Sequence, residues 1–133
     1  MKNKSKRKKI KENRQTSSVP KEWLYLNQEE VAPREIAQIF DKRSGISAQL
    51  WEEAKVVEIE LPEAGAVDME WLKLPTEEAD FDEYLQAQQI RSVFLVTLVP
   101  EDFGKAEPVM KQITESLGGY FCGDNESFTP IVR

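Results

Sequence analysis

The hydrophobic pattern of the chain is most continuous between Ser92 and Val99, where apolar residues occupy both alternating sets of positions. Phe94, Val96 and Leu98 form one set, and Val93, Leu95 and Val99 form the other. A strand that is apolar on both faces must be covered on both faces. The pattern therefore predicts a central strand over 92–99 that ends before Pro100, with Leu95 and Val96 inaccessible to solvent.

The segment 55–61 alternates regularly between apolar and acidic residues. Val57, Ile59 and Leu61 would lie on one face of a strand, and Glu58 and Glu60 on the other. This pattern is typical of a strand with one face in the core and one face in solvent.

The next segment allows two interpretations. Val67, Met69 and Trp71 continue the alternation after a turn at 62–65, which predicts a return strand. A short helix over 68–74 fits the same residues nearly as well. The short apolar segment 23–26 is an anchor onto the core or a first strand.

Two short helices are predicted near the N-terminus, over 33–41 and 47–54, because a proline and a serine stand at their first turns. They would form a helical hairpin that covers one face of the sheet. A DNA-binding helix-turn-helix motif is a poor fit, because Glu52 and Glu53 would face the phosphates. The inward side chains of the second helix would be Leu50, Trp51 and Ala54.

The C-terminal half predicts helices and strands in turn. Thr76 can cap one helix, and a second helix is predicted over 108–117. Strands follow over 120–122 and 128–132, the latter at a sheet edge because it contains a proline. A right-handed crossover through the second helix would lay 120–122 parallel to the central strand.

These segments predict an α+β fold of one domain over 21–133. We expect a two-layer sandwich with a mixed sheet of four to five strands centred on 92–99. Helices would pack on this sheet, and the N-terminal helical hairpin would precede it. A chain of 133 residues is of single-domain length.

Charge divides the chain into two parts. Residues 1–20 contain eight Lys and Arg residues and one acid, and the remainder carries a net charge of −13. Mutual repulsion with little apolar surface predicts that 1–20 is a disordered basic tail. The tail could bind nucleic acid weakly and without sequence preference, or it could only increase solubility. Its candidate contact residues are Lys4, Lys6, Arg7, Lys8, Lys9 and Lys11.

The composition argues against an enzyme. The chain has no histidine and only one cysteine, Cys122, so the commonest general base and a nucleophile paired with it are missing. Neither the acids at 80–83 nor those at 124–126 match a calcium-binding loop. We therefore predict no catalytic residue, no cofactor and no metal site. The single cysteine and the absence of a long apolar run predict a cytoplasmic protein without a membrane span.

The acidic residues are concentrated between 50 and 83, where twelve acids stand against two lysines. This density predicts a surface that docks a basic protein, with an aromatic side chain as its anchor. A solvated face above a core would give the same composition. The candidate partner-binding residues are Glu58, Glu60, Trp71, Glu77, Glu78, Asp82 and Glu83.

The leading hypothesis is therefore a non-enzymatic interaction domain that binds or inhibits a basic partner protein. Inhibitors of toxic nucleases use small acidic domains in this way, which is an analogy at the level of class. The alternative is a nucleic-acid- or ribosome-associated factor that acts through the basic tail.

Overall fold

The computed structural model describes residues 19–40 and 45–133. The strands in this part of the chain are β1 (Glu22–Asn27), β2 (Ser47–Trp51), β3 (Val56–Glu60), β4 (Ala66–Leu72), β5 (Ser92–Thr97), β6 (Tyr120–Gly123) and β7 (Ile131–Val132). The helices are α1 (Pro33–Ile39), α2 (Ala79–Ala87) and α3 (Phe103–Leu117), and a 3-10 turn at Pro100–Asp102 leads into α3.

The described strands form one sheet in the order β2-β3-β4-β5-β1-β6-β7. Every neighbouring pair is antiparallel. β5 lies in the middle, as its two apolar faces require, and β1 lies between β5 and β6. Leu24 of β1 is therefore opposite Leu95 on one side and Cys122 on the other.

The two faces of the sheet are covered differently. On one face, α1 and α3 pack over a large core cluster that includes Ile36 and Met110. On the opposite face, α2 packs a smaller cluster through Leu85, against side chains such as Leu26 and Val93. This smaller cluster reaches only one end of the sheet, so much of the second face remains open.

Two buried polar side chains, Tyr25 and Asn27, connect β1 to the end of α3 through hydrogen bonds. The Tyr25 hydroxyl donates to the Gly118 carbonyl at 2.6 Å. The Asn27 amide donates to the Tyr25 hydroxyl at 2.8 Å and to the Leu117 carbonyl at 3.0 Å. Because each polar atom has a partner, a carbonyl at the end of the helix and a strand amide are both satisfied inside the protein.

The prediction of a mixed sheet of four to five strands is wrong, since the sheet has seven strands and only antiparallel pairs among the described residues. Residues 120–122 do run in the same direction as β5, but β1 is inserted between them. β1 takes this place because Trp23, Leu24, Tyr25 and Leu26 are all buried, which only an inner strand allows.

The predicted N-terminal helical hairpin is also wrong. Only its first helix forms, as α1, and it packs on the same face as α3. Residues 47–51 form strand β2, in which Ala48 and Leu50 point to the core with the two-residue period of a strand. The Trp51 side chain, predicted to face inward, is 49% exposed.

Other boundaries move as well. The helix predicted over 108–117 begins at Phe103 and contains Pro108 in its interior, and the helix that Thr76 was predicted to cap begins at Ala79. The return strand forms as β4, so the alternative helix over 68–74 is wrong. No described helix has both the length and the apolar character that a bilayer crossing requires.

The predicted burial of β5 on both faces is confirmed for Phe94 and Val96 on one face and for Val93 on the other, but not for Leu95. Val96 is 1% exposed, whereas Leu95 on the other face is half-buried at the margin of the smaller cluster. The strand ends at Thr97, and Val99 is exposed. The prediction of a disordered tail concerns residues 1–18 almost entirely, which lie outside the described residues.

The assignment of the covered and exposed faces of β5 can be tested by substitution. Phe94→Ala should lower the free energy of unfolding by about 3–5 kcal/mol, because the side chain is fully buried and its removal leaves a cavity. Thr97→Val on the exposed face of the same strand should change it by less than about 0.5 kcal/mol. Urea unfolding of both variants measures the difference. Similar losses for the two would contradict the assignment of the faces.

The hydrogen bonds that connect β1 to α3 predict that two Tyr→Phe substitutions lower the free energy of unfolding by different amounts. Tyr25→Phe removes a hydroxyl with two buried partners and should cost about 1–3 kcal/mol. Tyr120→Phe removes a hydroxyl whose neighbour is the Tyr84 hydroxyl at 3.5 Å, and should cost less. Thermal unfolding at equal protein concentration compares the two. A larger loss of stability for Tyr120→Phe would show that the hydrogen bonds of the Tyr25 hydroxyl do not stabilise the position of β1.

Candidate partner-binding face

The uncovered part of the second sheet face presents side chains from β1, β2, β3, β4 and β5. We call it the open face. It consists of Glu22, Gln49, Trp51, Val56, Glu58, Glu60, Asp68, Glu70, Leu95, Thr97 and Asp124, which follows β6.

The strand register arranges these side chains in rows across the sheet. One row runs from Trp51 through Val56 and Glu70 to Leu95. The next row runs from Gln49 through Glu58, Asp68 and Thr97 to Glu22. The first row is an apolar strip interrupted by one acid, and the second is mainly acidic.

Two carboxylates of the acidic row face each other directly. Glu58 of β3 is the cross-strand partner of Asp68 in β4. Burial raises the pKa of Asp68, and the neighbouring Glu58 charge raises it further. Like charges directly opposite each other destabilise a strand pair, so this row contains a repulsion that a cation would relieve.

The apolar strip ends in an exposed aromatic side chain. The Trp51 indole Nε1 donates to the Glu58 carboxylate at 3.3 Å, which orients the ring beside the acidic row. Val56 and Leu95 are half-buried in the same strip. The strip therefore offers apolar contact next to negative charge.

A shallow cavity of about 350 Å³ lies at the middle of the open face. Its lining includes four acidic residues, Glu22, Asp68, Glu70 and Asp124, together with Leu95. Because it is open to solvent rather than enclosed, its shape suits a protruding side chain of a partner better than a small ligand.

Three acids of this face, Glu58, Asp68 and Glu70, form no ion pair with a cation of the described residues. Ion pairs within that part of the chain join Arg34 to Glu52, Arg91 to Glu30, Lys105 to Glu63 and Lys111 to Glu107. None of these pairs includes Glu58, Asp68 or Glu70. The negative charge of the open face is therefore available to a molecule that approaches it.

The structure divides the predicted partner-binding residues between two places. Glu58 and Glu60 lie on the open face. Trp71 lies on the helix-covered face opposite Phe94, half-buried, with the Lys55 Nζ atom 5.5 Å from its ring centroid. Trp71 is thus packed on the core, and Trp51 is the aromatic residue of the open face.

The other predicted acids belong to α2 and the loop before it. The Asp82 carboxylate accepts hydrogen bonds from the Thr76 backbone N–H at 2.9 Å and from the Thr76 hydroxyl at 2.7 Å. Asp82 therefore holds the loop that leads into the helix. Glu78 occupies the N-cap position of α2, and Glu77 and Glu83 are exposed.

Sequence reasoning did not assign Glu22, Trp51 or Asp124 to a binding surface. Glu22 and Asp124 are far from the acidic stretch in sequence and reach it only through the position of β1 between β5 and β6. Trp51 was assigned to the core of a helix. The alternation of Ala48 and Leu50 with polar neighbours was the signal that could have placed it on a strand.

The other residues considered for binding or catalysis do not add to this surface. The candidate tail residues Lys4 to Lys11 lie outside the described residues. Burial raises the pKa of the Cys122 thiol to about 12, with a smaller contribution from Asp124, so this thiol is a poor nucleophile. Within 19–40 and 45–133, no group of side chains could hold a metal ion.

The pKa of Asp68 predicts a pH-dependent gain in stability. Because the folded state raises this pKa, ionised Asp68 costs stability, and Asp68→Asn should raise the free energy of unfolding at pH 7 by about 0.2–1 kcal/mol. The gain should shrink as the pH falls through the raised pKa and vanish below the ordinary value of 3.8. Urea unfolding across this range, with Glu83→Gln as the control, measures it. A gain that is constant with pH would contradict the assigned cause.

No family model, no curated protein and no solved structure matches the chain. Its function must therefore be argued from the geometry and charge of the open face.

Proposed function

We propose that this protein is a non-enzymatic interaction domain whose open face binds a basic segment of a partner protein. One observation carries the proposal. Carboxylates from separate strands meet around an exposed apolar strip, and no cation of the described residues is paired with Glu58, Asp68 or Glu70. Binding of this kind would inhibit or sequester a basic partner.

Charge on the open face supports fast association. Electrostatic attraction between a negative surface and a positive partner increases the rate of encounter, and this increase falls as salt is added. The pair of Glu58 and Asp68 adds a specific gain, because a lysine or arginine between them would remove their repulsion. The acidic row therefore favours a cationic side chain at this position.

The apolar strip supports affinity beyond charge. Exposed tryptophan side chains surrounded by other contacts commonly dominate binding energy at protein interfaces. Trp51, Val56 and Leu95 provide such a strip beside the acidic row. A partner segment with both basic and apolar side chains fits this surface better than one with charge alone.

The proposal includes a cytoplasmic location. Small secreted domains commonly depend on disulfides, whereas this chain has a single cysteine, which is buried and free. Nucleic-acid binding through the basic tail draws no support from the described residues, and the acids of the open face would repel phosphates.

Two triple variants of equal charge test which acidic group binds. Glu22→Gln, Asp68→Asn and Glu70→Gln together should weaken binding of a fluorescent peptide of alternating Lys and Leu at least about tenfold at low salt. The control is the combination of Glu77→Gln, Glu78→Gln and Glu83→Gln, which should weaken it far less. Fluorescence anisotropy measures both affinities.

Each other outcome would change the conclusion. A larger loss with the control variant would move the binding surface to α2 and its preceding loop. Equal losses would mean that only net charge matters and that the open face is not a site. A matched peptide of alternating Glu and Leu should not bind, and binding of that peptide would contradict the electrostatic argument.

A further inference from the structure

We infer that the N-terminal segment 1–18 of this chain docks on the open face of the same molecule and competes there with a basic partner. The inference rests on the proposed function in one respect, that the open face accepts basic segments. It adds that the chain supplies a competitor of its own.

The segment joins the body next to the first strand, β1. The Trp23 indole donates to the Pro20 carbonyl at 2.9 Å, and the Leu98 N–H donates to the Lys21 carbonyl at 3.0 Å. The next residue, Glu22, lines the open face, and its carbonyl accepts from the Asp124 N–H at 3.0 Å. Val19 packs against the large core cluster on the helix-covered face. The segment therefore starts beside Glu22 but on that face, and it must pass the end of β1 to reach the open face.

The segment is long enough to pass the end of β1 and still extend across the open face. Its eighteen residues can span about 60 Å when extended. The distance across the sheet from β1 to β3 is three strand spacings, about 14 Å. The basic residues from Lys2 to Arg14 can therefore cover the whole acidic row without displacing any strand.

The charges of the segment and of the open face are complementary. Eight of the first twenty residues are Lys or Arg, and one is acidic. The open face carries the carboxylates of Glu22, Glu58, Glu60, Asp68 and Glu70, none of which forms an ion pair with a cation of the described residues.

The composition of the segment also determines how it can be displaced. Between Lys2 and Ser18, Ile10 is the only large apolar residue, so the segment can neutralise the acidic row but cannot fill the apolar strip. A partner with both basic and apolar side chains would gain contacts with Trp51 and Leu95 that the segment lacks. The segment would thus compete more strongly against a purely basic molecule than against a partner with both basic and apolar side chains.

A segment linked to its own binding surface acts at an effective concentration in the millimolar range. A partner must overcome this concentration before it binds. Removing the charge of the segment should therefore increase the affinity for the Lys and Leu peptide by about tenfold when the segment itself binds with a dissociation constant near 0.1 mM.

The test compares the full chain with a full-length variant in which the eight Lys and Arg residues of the segment are replaced by Gln. Amide NMR signals of Glu58, Asp68, Glu70 and Thr97 should shift between the two proteins at low salt. Signals of Met110 and Ile113 in α3 should not shift, which shows that the fold is intact. High salt should bring the signals of the unmodified chain to the positions seen in the variant.

The peptide affinity of the two proteins separates this inference from the proposed function. Shifted signals together with an affinity about tenfold higher in the Gln variant support both. Unchanged signals with equal peptide binding overturn the inference and leave the proposed function standing. Shifted signals without peptide binding by either protein support docking of the segment and overturn the proposed function. Unchanged signals together with no peptide binding by either protein would overturn both the inference and the proposed function.

A labelled single-stranded RNA provides a further outcome. If the segment docks on the open face, neutralising Glu22, Asp68 and Glu70 should release it and increase RNA affinity more than neutralising Glu77, Glu78 and Glu83. Equal RNA affinity in the two triple variants would show that the segment is free, and would overturn the inference.

Discussion

The burial of β1 between β5 and β6 is the constraint on which the rest of the structure depends. Its apolar residues point to both faces of the sheet, and the Tyr25 hydroxyl and the Asn27 amide fix its end to the last turn of α3. Without β1 the sheet would separate into two parts with exposed edges, β2 to β5 and β6 to β7. The position of α3 and the join between the two parts therefore both depend on this one strand.

The open face follows from the unequal distribution of helices. Among the described residues, two helices cover one face of a seven-stranded sheet, and a single helix of nine residues covers only an end of the other. The uncovered positions alternate with core positions along β3 and β4, which is why acids such as Glu58 and Asp68 occupy them. This alternation directs the apolar side chains into the core. It also places like charges opposite each other on the open face, which makes that surface suited to cations.

Sequence patterns predicted what depends on local periodicity. The strands β3, β4 and β5 follow from alternation, and the end of α3 follows from Gly118, whose φ of 85° an L side chain rarely adopts. The order of the strands could not be predicted, because β1 pairs with partners distant in sequence. Residues 47–51 were assigned to a helix since a serine cap and a tryptophan fit a short helix as well as a strand. The same limit hid Glu22 and Asp124, which join the acidic stretch only through the sheet.

The position of β1 also has a consequence for synthesis of the protein. Among the described strands β1 comes first in the sequence, and it pairs with β5 and β6, which are made only after β2, β3 and β4. Strand pairs between distant segments form slowly because a long loop must close before any contact is gained. The apolar residues 23–26 are therefore synthesised well before the strands that cover them. The charged segment that precedes them would oppose their association with other nascent chains throughout this interval.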